Sequence, residues 1–198
     1  MKLIVNGTPV DITLENEKTV GDVLKSFEKE AAQNDATTVG INLNGEDINA
    51  GKFNLILQEP LEEDTVLSLN VVSRGSINES FKASSENFDA LSKQMEEIPV
   101  LMQSGKEKDA HLIIAKLADE INCFCHVSTL SALFPETYTQ IQIDGTDLGS
   151  FFKDFSSILS DFEQALEEKD TVTIGDICEY EISPRLAKLS QAVKNIVK

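Results

Sequence analysis

The chain has 198 residues, of which 34 are acidic and 17 basic, so its formal net charge is −17 at neutral pH. A surface of this sign repels nucleic-acid phosphates and anionic lipid headgroups, so we expect neither nucleic acid nor a membrane as a partner. The three cysteines are an odd number for a disulfide framework, and no apolar run reaches the about 20 residues of a membrane-spanning helix, so we expect a cytoplasmic protein.

Two short segments of alternating apolar and polar residues, at positions 3–5 and 10–14, predict a first β-hairpin. An Asn-Gly pair at positions 6–7 lies between them and favours the backbone dihedrals of a tight turn. A helix is predicted next, because Thr19 followed by Asp22 forms a capping-box pattern and apolar residues then recur at helical spacing.

The alternation of a β-strand returns after this helix. Residues 39–43 lead into a second Asn-Gly pair at positions 44–45, and residues 67–71 form the last predicted strand. A further apolar run at residues 53–57 lies between these two strands. The predicted order is therefore ββαββ plus a short additional piece.

These elements resemble the ubiquitin-like superfamily, and most of all its bacterial sulfur-carrier branch. The matching stretches are MKLIVNG at 1–7, TVGDVL at 19–24, INLNGE at 41–46 and DTV at 64–66. The resemblance implies a ubiquitin-like β-grasp domain over residues 1–74. Carriers of this branch end in Gly-Gly, whereas this chain reads SRGS at residues 73–76 and continues, so a carrier role would require cleavage after Gly75.

Residues 76–198 carry the periodicity of four amphipathic helices, which predicts an all-α four-helix bundle and an α+β protein with two domains. Ser76 and Glu79 form a capping-box pattern at the start of the first helix, and Pro99 should bend or end that helix. The other three helices are predicted over about 106–134, over about 148–166 and from a cap near Asp170.

The connection at residues 135–146 is the least determined part of the chain. Its alternating residues around Ile141 precede an Asp-Gly pair at positions 144–145, so it forms either an extended edge segment or a hairpin. In the last helix, Glu181 and Arg185 stand four residues apart and predict an ion pair that fixes the helix register.

The sequence Cys-Phe-Cys-His at residues 123–126 is the one constellation that invites metal chemistry. Residues two apart on a helix point about 200° from each other, so Cys123 and Cys125 cannot both face one zinc ion. We therefore expect Cys125, and Cys178 in the last helix, to be small buried core residues. The sequence predicts no catalytic residue, metal or cofactor, with a zinc-binding or cysteine-dependent protein as an alternative.

These observations favour a non-catalytic adaptor or scaffold that binds a basic or helical protein partner. Candidate contact residues are Ile4, Phe53, Ile141 and Tyr180. Residues 176–184 are similar to a segment of small helical proteins associated with bacterial motility, which implies a motility-associated adaptor in a bacterium. A processed ubiquitin-like or sulfur-carrier protein is the alternative. The sequence does not decide whether the protein forms a homodimer, or whether its acidic surface attracts a partner or serves solubility alone.

Overall fold

The computed structural model describes residues 1–138 and 141–196 of the chain. The chain divides into two compact units, Met1–Ser76 and Ile77–Lys198. The first unit, all of whose residues are described, holds a sheet with two helices, and the second is mainly helical. The molecule therefore contains both a sheet and helices, which agrees with the broad class that the sequence predicted.

The first unit contains a five-stranded mixed sheet with strand order β2-β1-β5-β3-β4. Its elements are β1 (Lys2–Val5), β2 (Thr8–Val10), α1 (Val20–Gln33), β3 (Ala36–Leu43), β4 (Glu46–Asp47), α2 (Ala50–Ile56) and β5 (Val66–Ser73). Strand β1 pairs in parallel with β5, and the other pairs are antiparallel. Both predicted Asn-Gly turns are confirmed, because Asn6 and Asn44 have positive φ and each is followed by a glycine with positive φ.

Strand β2 is shorter than the alternation predicted. It ends at Val10, whereas Ile12 and Leu14 lie outside the strand and expose 37% and 40% of their surface. An alternating pattern fixes a strand only where one face is covered, and these two side chains are not in the core. The predicted strand over residues 10–14 is therefore wrong beyond its first residue.

The core of the first unit lies between the sheet and the two helices. The buried cluster consists of Leu3, Val20, Val23, Leu24, Leu43, Ile56, Leu67 and Leu69. The predicted cap of α1 is confirmed, since Thr19 Oγ1 accepts a hydrogen bond from Asp22 N at 3.2 Å and Asp22 Oδ2 accepts one from Thr19 N at 3.0 Å. This reciprocal pair satisfies two backbone donors at the helix start.

The apolar run at residues 53–57 folds mostly as the short helix α2. Asn49 caps this helix and accepts hydrogen bonds from Gly51 N at 3.0 Å and Lys52 N at 3.1 Å. Ile56 packs into the core, whereas Leu55 is 71% exposed. This distribution of buried and exposed residues is that of an amphipathic helix and not that of the alternating strand pattern.

The second unit is built from long helices and one small hairpin. Its elements are α3 (Arg74–Gln103), which begins in the first unit, α4 (Glu107–Ser131), β6 (Gln142–Ile143), β7 (Thr146–Asp147), α5 (Leu148–Glu168), α6 (Thr171–Asp176), a π-helical segment (Ile177–Ile182) and α7 (Ser183–Ile196). Its core contains Phe81, Phe88 and Phe124. The ring of Phe124 lies 5.8 Å from that of Phe81 and 5.3 Å from that of Phe88.

The predicted connection at residues 135–146 ends in a hairpin formed by β6 and β7, so the hairpin alternative is confirmed. Two residues of this connection, Thr139 and Gln140, lie outside the described residues.

Helix α3 starts before the predicted cap and does not end at Pro99. Ser73 Oγ accepts from Ser76 N at 3.1 Å and Ser76 Oγ accepts from Ser73 N at 3.0 Å, so the capping pair is Ser73 and Ser76 rather than Ser76 and Glu79. The helix then runs through Pro99 to Gln103. Of the two predicted effects of Pro99, an end of the helix is therefore wrong, because the helix and its buried stripe at Ile98 continue past it, whereas a bend stays a prediction.

The last predicted helix contains a π-helical segment that the sequence analysis did not anticipate. Its predicted cap is confirmed, since Asp170 accepts from Val172 N and Thr173 N at 3.1 Å. Within the segment, Ser183 N donates to the carbonyl of Cys178, five residues earlier. Pro184 explains this pattern, because it has no N–H to offer to the carbonyl four residues before it.

The π-helical segment also keeps the buried stripe in line. Four fully buried positions, Ile174, Cys178, Ile182 and Leu186, follow each other at intervals of four residues. An α-helix of 3.6 residues per turn would rotate this stripe away from the core, whereas i→i+5 bonding places more residues in each turn.

Among the described residues, no helix is both long enough and apolar enough to cross a membrane.

Candidate functional site

An apolar groove of the first unit is formed by α1, α2 and β3, and we call it the Phe53 groove. It consists of two cavities of about 480 and 250 Å³ that share Leu24, Glu28 and Phe53 in their walls. Phe53 is 40% exposed although it is a large aromatic residue. Exposed aromatic side chains beside a cavity are a common feature of protein interaction sites.

Gly21 shapes one end of the Phe53 groove through a close approach of two chain segments. Its N–H donates to the carbonyl of Leu57 at 3.2 Å. A Cβ atom at position 21 would lie 2.6 Å from that carbonyl oxygen, so only glycine fits. The start of α1 is thereby held against the end of α2, which positions Phe53 at the groove.

Strand β3 forms the opposite wall and presents an edge without a strand partner. In the fully described first unit, β4 pairs only with Asn42 and Leu43, and Ile48 N donates to the carbonyl of Ile41 at 2.9 Å, so residues 36–40 have no neighbouring segment of strand on that side. The register of β3 shifts between Thr38 and Gly40, and Val39 at this bulge is 44% exposed. Unpaired strand edges are sites where a further chain segment can bind through its backbone.

Glu28 on α1 occupies this edge in the structure. Its Oε1 accepts from Thr38 N at 2.9 Å and its Oε2 accepts from Thr37 Oγ1 at 3.3 Å. The Oγ1 atom of Thr38 is buried and has no hydrogen-bond partner among the described residues. The groove therefore combines an apolar wall with the carboxylate of Glu28.

The charges around the Phe53 groove are predominantly negative. Asp22 and Glu28 line it together with one cation, Lys25. Hydrogen bonds from the backbone N–H groups of Lys18 and Thr19 lower the pKa of Asp22, so this carboxylate stays ionised well below neutral pH. The first unit as a whole holds 13 acidic and 6 basic residues, which favours a basic ligand.

The four predicted contact residues are divided between the two units, with Ile4 and Phe53 in the first and Ile141 and Tyr180 in the second. Leu3 points into the core, so the half-buried Ile4 next to it lies on the other face of the sheet, away from Phe53. Ile141 is half-buried and precedes β6 in the second unit. Tyr180 is 64% exposed on the π-helical segment.

Tyr180 borders a cavity of about 270 Å³ whose charged groups form ion pairs with one another. Arg185 donates to Glu181 Oε2 at 2.5 Å, which confirms the predicted ion pair, and to Asp154 Oδ2 at 2.9 Å. Lys188 Nζ lies 2.9 Å from Asp144 Oδ2. A hydrogen bond with Glu179 raises the pKa of Tyr180. These pairs tie the hairpin, α5 and the π-helical segment together.

The cysteines differ from the sequence prediction at one position. Cys178 is fully buried as predicted, but Cys125 is exposed, as is Cys123. The buried stripe of α4 passes through Phe124 and Val127, which turns Cys125 towards solvent. Within residues 1–138 and 141–196, no group of three or more His, Cys, Asp or Glu side chains is placed to hold a metal ion.

Phe53 was predicted from the sequence as a contact residue, but the residues that make it part of a groove were not. Leu24 and Glu28 stand four residues apart, so both lie on one face of α1, and this spacing was a usable signal for Glu28. The bulge at Val39 has no comparable signal, because it depends on how β3 pairs with β5.

Comparisons with known proteins cover nearly the whole chain. Residues 1–73 are similar to a family described as the TP0873 N-terminal domain, and residues 79–192 match the family Domain of unknown function (DUF8042). An uncharacterized protein of Treponema pallidum (strain Nichols) is 27% identical over 193 residues, which are 98% of this chain and 96% of that protein. No solved structure matches the chain. Because the second match spans more than half of the chain, the protein belongs to the DUF8042 family.

Proposed function

We propose that the protein is a non-catalytic adaptor whose Phe53 groove binds a basic protein segment that carries a large apolar side chain. The observation that carries this proposal is the exposed Phe53 between two cavities, beside the open edge of β3. An apolar side chain of the partner would fill the cavity, and a few such anchors supply most of the affinity at protein interfaces.

The charge and the backbone of the groove support a basic, extended partner. Asp22 and Glu28 attract cations, and an extended segment beside β3 would find backbone groups that lack a strand partner in the described first unit. Glu28 now accepts from Thr38 N, so a bound segment would release this carboxylate for a cation of the partner.

We also propose that the first unit is a ubiquitin-like β-grasp domain and that the second is a helical bundle. The sheet order, the parallel pairing of β1 with β5 and the packing of α1 on one face support the first assignment. Gly75 is the second residue of α3, where a helix restrains it, so this position favours the adaptor over a carrier with a loose tail. The cytoplasmic location and the association with bacterial motility stay predictions.

The adaptor proposal is tested by selecting peptides from a random library on the intact protein and measuring their affinities by fluorescence anisotropy. We expect basic peptides with one large apolar residue. Phe53→Glu should weaken them by about tenfold or more, which corresponds to at least about 1.4 kcal/mol.

Leu55→Glu is the matched control, because Leu55 is on the same helix, is 71% exposed and does not line the groove. It should leave the affinity within about twofold, a change below about 0.5 kcal/mol. Equal binding by the wild type and the Phe53→Glu variant, both folded by circular dichroism, would refute the role of the groove.

A further inference from the structure

The open edge of β3 is occupied at one backbone group by a side chain of the same unit. Glu28 Oε1 accepts from Thr38 N at 2.9 Å, a length typical of hydrogen bonds between β-strands, and Glu28 Oε2 accepts from Thr37 Oγ1 at 3.3 Å. We call these two hydrogen bonds the Glu28 contact. The carboxylate thus takes the place on β3 that the carbonyl of a neighbouring strand would take.

The Glu28 contact lies at the Phe53 groove, because Glu28 and Thr38 both line the cavity that contains Val39 and Phe53. A single N–H group makes one well-aligned hydrogen bond at a time. An extended segment that pairs with β3 beside the groove therefore competes with Glu28 for Thr38 N.

Glu28 is half-buried and has no ion-pair partner in the described part of the chain, where no nitrogen of a Lys, Arg or His side chain lies within 4.0 Å of its carboxylate. Displacement of Glu28 breaks both hydrogen bonds of a charged group, which is unfavourable unless a new donor replaces them. A Lys or Arg side chain of the incoming segment supplies such a donor together with the opposite charge.

We propose that Glu28 is an internal competitor at the open edge of β3 and determines which segments the Phe53 groove accepts. An uncharged extended segment loses the Glu28 contact without replacement, whereas a segment with a Lys or Arg beside its Thr38-pairing residue forms a new ion pair with the displaced carboxylate. The partner is therefore an extended segment with a cation next to its pairing residue. This inference rests on the proposed function of the Phe53 groove.

The test uses the intact protein and peptides selected on the wild type from the random library of the adaptor experiment. Each selected peptide is compared by fluorescence anisotropy with a neutral copy, in which Gln replaces every Lys and Arg. We expect the wild type to bind the basic peptide at least about tenfold more tightly than the neutral copy.

Two variants of Glu28 separate its charge from its hydrogen bonds. Glu28→Gln keeps an acceptor for Thr38 N but carries no charge, so the preference for the basic peptide should fall to about twofold. Glu28→Ala removes the acceptor as well, so the neutral copy should in addition bind at least about threefold more tightly than it binds to the wild type.

Glu30→Ala is the matched control, because Glu30 is an exposed glutamate on the same helix and does not line the Phe53 groove. It should keep the preference of the wild type. Equal preferences of the wild type and the Glu28→Ala variant would show that only the general acidity of the unit attracts cations, and would overturn the proposal. An unchanged affinity of the neutral copy for Glu28→Ala would overturn it as well.

The Phe53→Glu variant distinguishes the two proposals. Unchanged binding by Phe53→Glu, or no peptide selected on the wild type, refutes the groove itself. Weaker binding by Phe53→Glu, combined with Glu28 variants that behave as the wild type does, refutes only the role of Glu28.

Amide hydrogen exchange, measured by NMR, tests the Glu28 contact in the absence of a peptide. The Thr38 N–H should exchange at least about tenfold faster in Glu28→Ala than in the wild type, because its acceptor is removed. Ile48 N–H is the control amide, since it donates to the carbonyl of Ile41 at 2.9 Å on the same side of β3 and should exchange as in the wild type. Equal exchange of Thr38 in both proteins would contradict the competition by Glu28.

Discussion

Cys178 is fully buried on the π-helical segment, and burial raises the pKa of its thiol to about 12. At pH 8 it is therefore almost entirely protonated in the folded protein, and the thiolate is the reactive form. We predict that a thiol reagent at pH 8 labels Cys123 and Cys125, which are exposed, but not Cys178. Intact mass should show two labels in native protein and three in denaturant. Three labels under native conditions would contradict the burial of Cys178.

Single residues were predictable where their effect is local. The caps Thr19 and Asp170 follow from side chains that bond to backbone groups two or three residues away, and both are confirmed. Cys125 was misplaced because its neighbour Phe124 takes the buried position, and sequence spacing leaves an error of one residue in a helical stripe. Glu120 lies three residues after buried Leu117 and four before buried Phe124, so a charged residue within an apolar stripe of α4 was the available signal of its burial.

At the scale of elements, Arg185 joins α7, the π-helical segment and α5 through Glu181 and Asp154. Only 22% of its side chain is exposed, so solvent screens these pairs less than surface pairs. We predict a coupling free energy of about 0.5–1 kcal/mol between Arg185 and Asp154 in a double-mutant cycle with Arg185→Met and Asp154→Asn, measured by urea unfolding.

The exposed pair Lys93 and Asp89 on α3 is the control for this cycle. Its nitrogen to oxygen distance is also 2.9 Å, but 73% of the Lys93 side chain is exposed, so we expect a weaker coupling than that between Arg185 and Asp154. Arg185→Lys should recover little of the stability, since an ammonium group cannot span two carboxylates as a guanidinium does. Equal couplings for the two pairs would show that Arg185 is an ordinary surface cation.

The helices were predicted better than their interruptions. Periodicity located α1 and α5 because one apolar face repeats over several turns. Helix α2 is too short for this, and only its last four residues were noted, as part of an apolar run at residues 53–57. The π-helical segment is defined by its hydrogen-bond pattern. Buried residues four apart are compatible with this pattern but also with an α-helix, so their spacing did not predict it. The Phe53 groove depends on how β3 pairs with β5, so the periodicity of the sequence could not predict it either.

At the scale of the whole molecule, charge is the dominant property. The excess of 17 negative charges is divided between the two units, since 7 belong to residues 1–76 and 10 to residues 77–198. Each unit also has its own set of buried apolar residues. Repulsion among like charges disfavours a compact state, and dissolved salt screens this repulsion over about 10 Å.

We therefore predict that the melting temperature of the protein rises between 20 and about 300 mM KCl, because salt screens repulsion between exposed carboxylates. Glu63 is exposed beside Glu62 and Asp64, so Glu63→Gln should stabilise the protein by about 0.2–0.5 kcal/mol in 20 mM salt and by less in high salt. Lys18→Gln removes an exposed cation and should have the opposite sign at low salt. Differential scanning calorimetry of the three proteins measures both effects. A salt-independent melting temperature, or two substitutions with the same sign, would show that local contacts outweigh the net charge in setting stability.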